Sequence, residues 1–127
     1  MPAMPESSAA EPPAVLVVED ESILRMVAVD MLEDAGFAVM EAPTADAAWT
    51  ILEREAGVGV LFTDIDMPGT MDGLTLAGRV AERWPRIRLV VTSGRFALHD
   101  EDLPDSGRFL PKPYKQAHLL KAIAGAA

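Results

Sequence analysis

Residues 58–73 read Val-Gly-Val-Leu-Phe-Thr-Asp-Ile-Asp-Met-Pro-Gly-Thr-Met-Asp-Gly. Val58 to Thr63 is a short apolar run rich in β-branched and aromatic residues, which predicts a strand buried on both faces. Asp64 stands where that run stops. A Pro/Gly loop follows, and Asp72 is placed to cap a helix. The unit is a buried strand that delivers an aspartate to its carboxyl end and then turns into a helix.

The same unit recurs on either side. Ala14 to Val18 is a continuous apolar run. Ile23, Leu24, Val27, Ala28, Met31, Leu32 and Ala35 then follow at helical spacing, with Gly36 as the stop. Phe37 to Glu41 reads as a second strand. Thr44 caps a helix carrying Ala48, Ile51 and Leu52, which Gly57 ends. Leu74, Ala77, Val80, Ala81 and Trp84 form a further helical stripe ended by Pro85. Ile87 to Val91 and Arg108 to Leu110 read as two more strands, and Leu119, Leu120 and Ile123 as the buried side of a last helix. Strict strand–helix alternation predicts an α/β fold, a parallel sheet with helices on both faces. Ligands in such sheets sit at the carboxyl ends of the strands, near the point where strand order reverses.

Composition narrows the setting. The 127 residues suit one domain, and 50% of them are hydrophobic, enough for an ordinary core. With no cysteine, neither a disulfide framework nor a thiolate metal site is available, and a cytoplasmic location is expected. Acidic residues outnumber basic ones by 20 to 11, a net charge of −9 that disfavours nucleic acid as a partner. No apolar run approaches the roughly 20 residues of a membrane span. Residues 1–13 lack a basic region and an apolar core, so they read as a flexible tail rather than a signal peptide.

The strand ends are polar. Glu19-Asp20-Glu21 follows the first strand, Asp64 and Asp66 the third, Thr92-Ser93-Gly94 the fourth, and Pro111-Lys112-Pro113 the fifth. Brought together, such carboxylates repel one another unless a cation intervenes. Oxygen-only ligands suit Mg²⁺. A carboxylate in that setting can also attack phosphorus, with a lysine and a threonine hydroxyl supporting the phosphoryl oxygens.

The segments VLVVEDE, VLFTDIDMPGTMDG, VVTSG and FLPKPY, in this order, resemble the response-regulator receiver domains of bacterial two-component systems. The resemblance runs from about Ala14 to Ala124. It implies a flavodoxin-like, doubly wound five-stranded parallel sheet of order 2-1-3-4-5, with residues 14–127 forming one free-standing receiver domain. It implies Asp64 as phospho-acceptor in a Mg²⁺-dependent reaction, with the metal held by Glu19, Asp20, Asp64 and the backbone carbonyl of Asp66. Thr92 matches the switch hydroxyl, Lys112 the phosphate-contacting lysine and Phe109 the aromatic residue that moves with Thr92. Lys112-Pro113 matches a cis peptide bond. The implied partners are a sensor histidine kinase or a histidine phosphotransfer protein, and a downstream protein target. The implied chemistry is self-catalysed phosphotransfer and dephosphorylation, not enzymatic turnover of a substrate.

Three features depart from the common pattern. The loop after Asp64 holds one extra residue. Gly94 lies two positions past Thr92 and, with Asp66, bears on the access of attacking water. The segment between Ser93 and Ser106 carries Phe96, Leu98 and Leu103 without a clean helical stripe, so the helix due there is expected to be short or irregular, and ordering of this segment is one way for phosphorylation to act.

Two other functions fit parts of the sequence. Asp64-Ile65-Asp66 also resembles the nucleophile motif of haloacid-dehalogenase-type phosphatases, but that motif normally sits on a first strand, and no acidic residue follows Lys112. A pseudo-receiver that binds partners without phosphate is opposed by the intact set of acidic pair, acceptor, hydroxyl and lysine. His99 and His118 have no ligand partners nearby in sequence and read as surface residues.

Overall fold

The computed structural model describes residues 13–67, 69, 71–104 and 107–125. Along them run β1 (Ala14–Val18), α1 (Ser22–Asp34), β2 (Val39–Ala42), α2 (Ala45–Arg54), β3 (Val58–Asp64), α3 (Gly73–Arg83), β4 (Arg88–Ser93), β5 (Arg108–Pro111) and α4 (Gln116–Gly125), with a 3-10 turn at Asp100–Asp102. The strands form one parallel sheet of order β2-β1-β3-β4-β5. This is the flavodoxin-like, doubly wound arrangement expected from the sequence. The tail residues 1–12, and Asp105 and Ser106 in the segment before β5, lie outside the described residues.

Two cores follow from the strand alternation, since successive side chains point to opposite faces. Val15, Val17, Val60, Phe62, Val90 and Leu110 pack with Ala28 and Leu32 of α1 and with Leu119 and Ile123 of α4. On the other face, Leu16, Val18, Leu61, Leu89 and Val91 pack with residues of α2 and α3. Every residue of β1 is buried, which is why the central strands read as unbroken apolar runs. Burying one such Val or Leu contributes about 1.5–3 kcal/mol.

The predicted caps are in place. Thr44 Oγ1 accepts the Ala47 N–H at 3.0 Å, and Asp72 Oδ1 accepts that of Thr75 at 2.8 Å. Gly36, at φ +95°, ends α1 in the left-handed region that a Cβ disfavours.

One stripe is wider than the face it buries. Ala28 and Leu32 of α1 are buried, but Ile23 is 69% and Met26 55% exposed, and Leu24 and Val27 are exposed as well. The helix starts beyond the end of β1, so its first turn has less of the sheet to cover.

Among the described residues between β4 and β5 the one helical element is the 3-10 turn. This matches the broken apolar pattern. Leu103 is buried, while Phe96 is half exposed. Asp100 ties the turn to the sheet: Oδ1 accepts the Phe109 N–H at 2.8 Å, and Oδ2 pairs with Arg108 at 3.2 Å.

Candidate functional site

The sheet register sets the site. Val18 lies opposite Thr63, Asp64 opposite Thr92, and Thr92 opposite Leu110, so four strands end at one level. The ladder continues into the loops. The Ile65 N–H donates to the Thr92 carbonyl at 2.9 Å, and the Lys112 N–H to the Ser93 carbonyl at 3.0 Å. Chain segments far apart in sequence thereby deliver Glu19, Asp20, Asp64 and Lys112 to one place.

Glu19, Asp20 and Asp64 each offer a carboxylate oxygen, all within 4.8 Å of one another. Lys112 Nζ donates to Glu19 Oε1 at 3.0 Å and pairs with Asp64 Oδ2 at 3.3 Å. The other carboxylate oxygens of Glu19 and Asp64 are served by backbone: Glu21 N–H reaches Glu19 Oε2 at 3.2 Å, and Asp66 N–H reaches Asp64 Oδ1 at 3.3 Å.

Glu19 and Asp64 are both buried. Burial pushes both carboxyl groups above their ordinary range, and their mutual repulsion adds to the shift of Glu19. For Lys112, burial pulls the other way, but hydrogen bonding to Glu19 and the charges of Glu19 and Asp64 outweigh it and raise the ammonium. One ammonium against three carboxylates leaves a surplus of negative charge. An oxygen-only set with that surplus fits a hard divalent cation such as Mg²⁺.

Thr92 and Phe109 stand where the sequence put them, but the Thr92 hydroxyl faces the fifth strand. Its Oγ1 donates to the Leu110 carbonyl at 2.6 Å. Phe109 is half-buried against the core beneath α2 and α3. The Lys112-Pro113 peptide is cis. His99 and His118 are exposed. Tyr114, next to the site, meets Phe62 edge-on at 5.6 Å, and burial raises its phenol to about 12.

Two supporting residues were not singled out from sequence. Arg25 Nη1 donates to the Glu19 carbonyl at 2.7 Å, while its Nε pairs with Glu41 at 3.0 Å, bracing the acidic turn against β2. The available signal was a cation inside an otherwise apolar stretch of α1. Gly73 is the other: a Cβ there would run into the Asp64 carbonyl, so α3 can start hard against the end of β3 only with glycine. Asp72-Gly73 in the quoted stretch was its trace.

A strand order of 2-1-3-4-5 with acidic residues, a threonine and a lysine at the carboxyl ends defines a class of doubly wound domain with an acidic site at the point where strand order reverses. The family model of the response regulator receiver domain matches residues 15–124. The chain belongs to that family, whose members are signalling domains of two-component systems. It is 33% identical over 112 residues to the response regulator receiver protein CpdR of Brucella abortus, covering 86% of this chain and 92% of that one. It is 35% identical over 116 residues to the sensor kinase CckA of the same species, but spans only 12% of that kinase. Among solved structures, a response regulator receiver protein from Sinorhizobium medicae superposes with a TM-score of 0.82 at 30% identity, covering 91% of this chain and 94% of that one. Among the described residues, no helix is long and apolar enough to cross a membrane.

Proposed function

We propose that the chain is a single-domain response regulator that accepts a phosphoryl group on Asp64 from the phosphohistidine of a sensor histidine kinase or phosphotransfer protein. The observation that carries this reading is the contact of Lys112 with both Glu19 and Asp64 at the strand ends. Asp64 Oδ2 attacks phosphorus, the P–N bond to the donor imidazole breaks, and its electron pair stays on that nitrogen. Lys112, already within 3.3 Å of Asp64, neutralises oxygens of the transferred group.

Glu19, Asp20 and Asp64, with the backbone carbonyl of Asp66, are the residues that would hold Mg²⁺. The metal would supply neutralisation of the carboxylates and of the phosphoryl oxygens. Glu19 and Asp64 keep their geometry through the backbone N–H groups of Glu21 and Asp66, and Arg25 holds the acidic turn. A phosphoryl group on Asp64 gives the Thr92 hydroxyl a charged acceptor. Turning toward it releases the Leu110 carbonyl and frees Phe109 to move, which biases β5 between two conformations.

The exposed apolar residues Ile23, Leu24, Met26 and Val27 on α1 support a protein as phosphodonor, since a small ester has no use for such a surface. CpdR, a response regulator receiver protein matched over 92% of its own length, supports the response-regulator reading. The test is phosphotransfer profiling. Radiolabelled, autophosphorylated histidine kinases and phosphotransfer proteins from the source organism are each mixed with the chain. Fast transfer from at least one donor to wild type, and none to Asp64→Asn, is expected. Transfer to Asp64→Asn would overturn the assignment.

A further inference from the structure

Both tryptophans of the chain, Trp49 and Trp84, meet on one surface. Trp49 stands on α2 and Trp84 closes α3, with their ring centroids 4.9 Å apart. The Arg83 guanidinium lies over both rings, 5.7 and 4.8 Å from their centroids, and pairs with Glu53 at 2.9 Å. Both rings are half-buried, so each remains partly open to solvent.

Trp84 divides two depressions. One, of about 160 Å³, has the buried residues Leu52, Val58 and Ile87 beneath it and the exposed Arg54 and Arg86 at its margin. The other is more open and runs along Arg83, Pro85 and Arg86. Arg86 makes one long hydrogen bond, to the Ala56 carbonyl at 3.4 Å, while Arg54 makes no hydrogen bond or ion pair among the described residues.

Charge sets this surface apart. The chain carries −9 overall, yet here three arginines meet two glutamates, Glu53 and Glu55, and Glu53 is already taken by Arg83. A cation in the last turn of a helix is favoured by the helix dipole, which accounts for Arg54 and Arg83. Arg86 lies in the loop after α3, where that reason does not apply. Tryptophan and arginine are among the residue types that carry most of the binding energy at protein interfaces. Two adjoining depressions with a ring between them suit a segment of chain that crosses the ring. The smaller one, below the roughly 300 Å³ at which ordinary small-molecule pockets begin, suits a single side chain.

We infer that this surface is a docking site for an acidic protein segment, with one apolar side chain seated beside Trp84 and carboxylates on Arg54 and Arg86. Val58 opens β3 and Asp64 closes it, so the surface lies about 20 Å from Asp64, at the opposite end of the sheet. A segment held here leaves the strand-end acids open to another protein, and its binding does not depend on their state.

The two tryptophans make the surface its own reporter. Short synthetic peptides, each with one central Leu, Ile, Met or Phe flanked by glutamates, are titrated into the full chain while tryptophan emission is followed. A saturable change is expected with at least one of them, weakening as NaCl is raised. Peptides with lysine in place of glutamate give none. Arg54→Ala combined with Arg86→Ala weakens binding about tenfold, the size expected for two exposed ion pairs. Both side chains are exposed, so the fold is kept. Asp64→Asn binds as wild type does. No change with any of the acidic peptides overturns the inference, as does an equal response to the lysine peptides or an unaltered affinity in the double arginine variant. An emission change that grows with protein concentration alone, with dimers in sedimentation velocity, assigns the surface to a second copy and overturns it too. Loss of binding in Asp64→Asn overturns the independence of the two ends.

Discussion

The hydroxyl of Thr92 is bonded to the carbonyl of Leu110 at 2.6 Å, although Thr92 lies directly opposite Asp64 in the sheet. In the described state this side chain therefore serves the edge strand and not Asp64. Thr92→Val keeps the shape and removes the donor. Its expected cost is about 1 kcal/mol in urea unfolding, typical of one hydrogen bond. The expected functional effect is loss of coupling: amide resonances of Phe109 and Leu110 shift on addition of beryllofluoride and Mg²⁺ in wild type and stay near their starting positions in the variant. Equal shifts in both proteins would show that the hydroxyl does not carry the signal to β5.

Among the described residues, Lys112 is the one cation placed on two buried carboxylates. Its removal leaves Glu19 and Asp64 without that partner. Lys112→Ala is expected to lower stability at neutral pH by about 3 kcal/mol without added metal, in the range for breaking a buried pair. The loss shrinks on acidification, when the carboxylates can protonate. Denaturant midpoints across pH check this, and a loss that does not depend on pH would contradict it.

Asp64 is itself expected to destabilise the protein in the absence of metal. The folded-state pKa values of Glu19 and Asp64 are raised above their ordinary values of 4.5 and 3.8. Stability from such groups is whole below those values and is lost as pH rises through the folded-state values. Asp64→Asn removes the share due to Asp64. Without metal, the variant is expected to unfold at a higher temperature than wild type at neutral pH, and the gap closes toward about pH 4. Saturating Mg²⁺ raises the wild-type midpoint more than that of the variant. A variant less stable than wild type at neutral pH without metal would contradict this sign.

Tyr114 gives an independent probe, because the chain has a single tyrosine. Burial holds its phenol at about 12, against an ordinary 10.0. The stability it contributes is whole below pH 10.0 and declines as pH rises toward about 12. Tyrosinate absorbance should titrate near 12 in the folded protein and near 10.0 in denaturant. Coincident midpoints would mean that the ring against Phe62 is open to water.

Most of the fold was legible because its signals are local. Ala14–Val18 is buried on both faces and reads as an unbroken apolar run, while Thr44 and Asp72 announce their helices within three residues. The shortness of the helical element described before β5 was visible in the spacing of Phe96, Leu98 and Leu103. The exposed turn of α1 was not, since Ile23 and Val27 carry the same apolar signal whether or not a sheet lies beneath them. The strand-end acids, Thr92 and Lys112 were readable as a set. The partner of Arg25 was not, because it depends on which groups the register brings close across 16 residues. The side Thr92 faces was hidden for the same reason.

The most direct measurement is intact-mass and peptide mapping after incubation with acetyl phosphate and Mg²⁺. Wild type is expected to gain one acid-stable, base-labile phosphoryl group on the peptide that carries Asp64, with none after chelation of the metal and none in Asp64→Asn. A wild-type chain that never takes the label, or an Asp64→Asn chain that takes it equally, would contradict phosphoacceptance at Asp64.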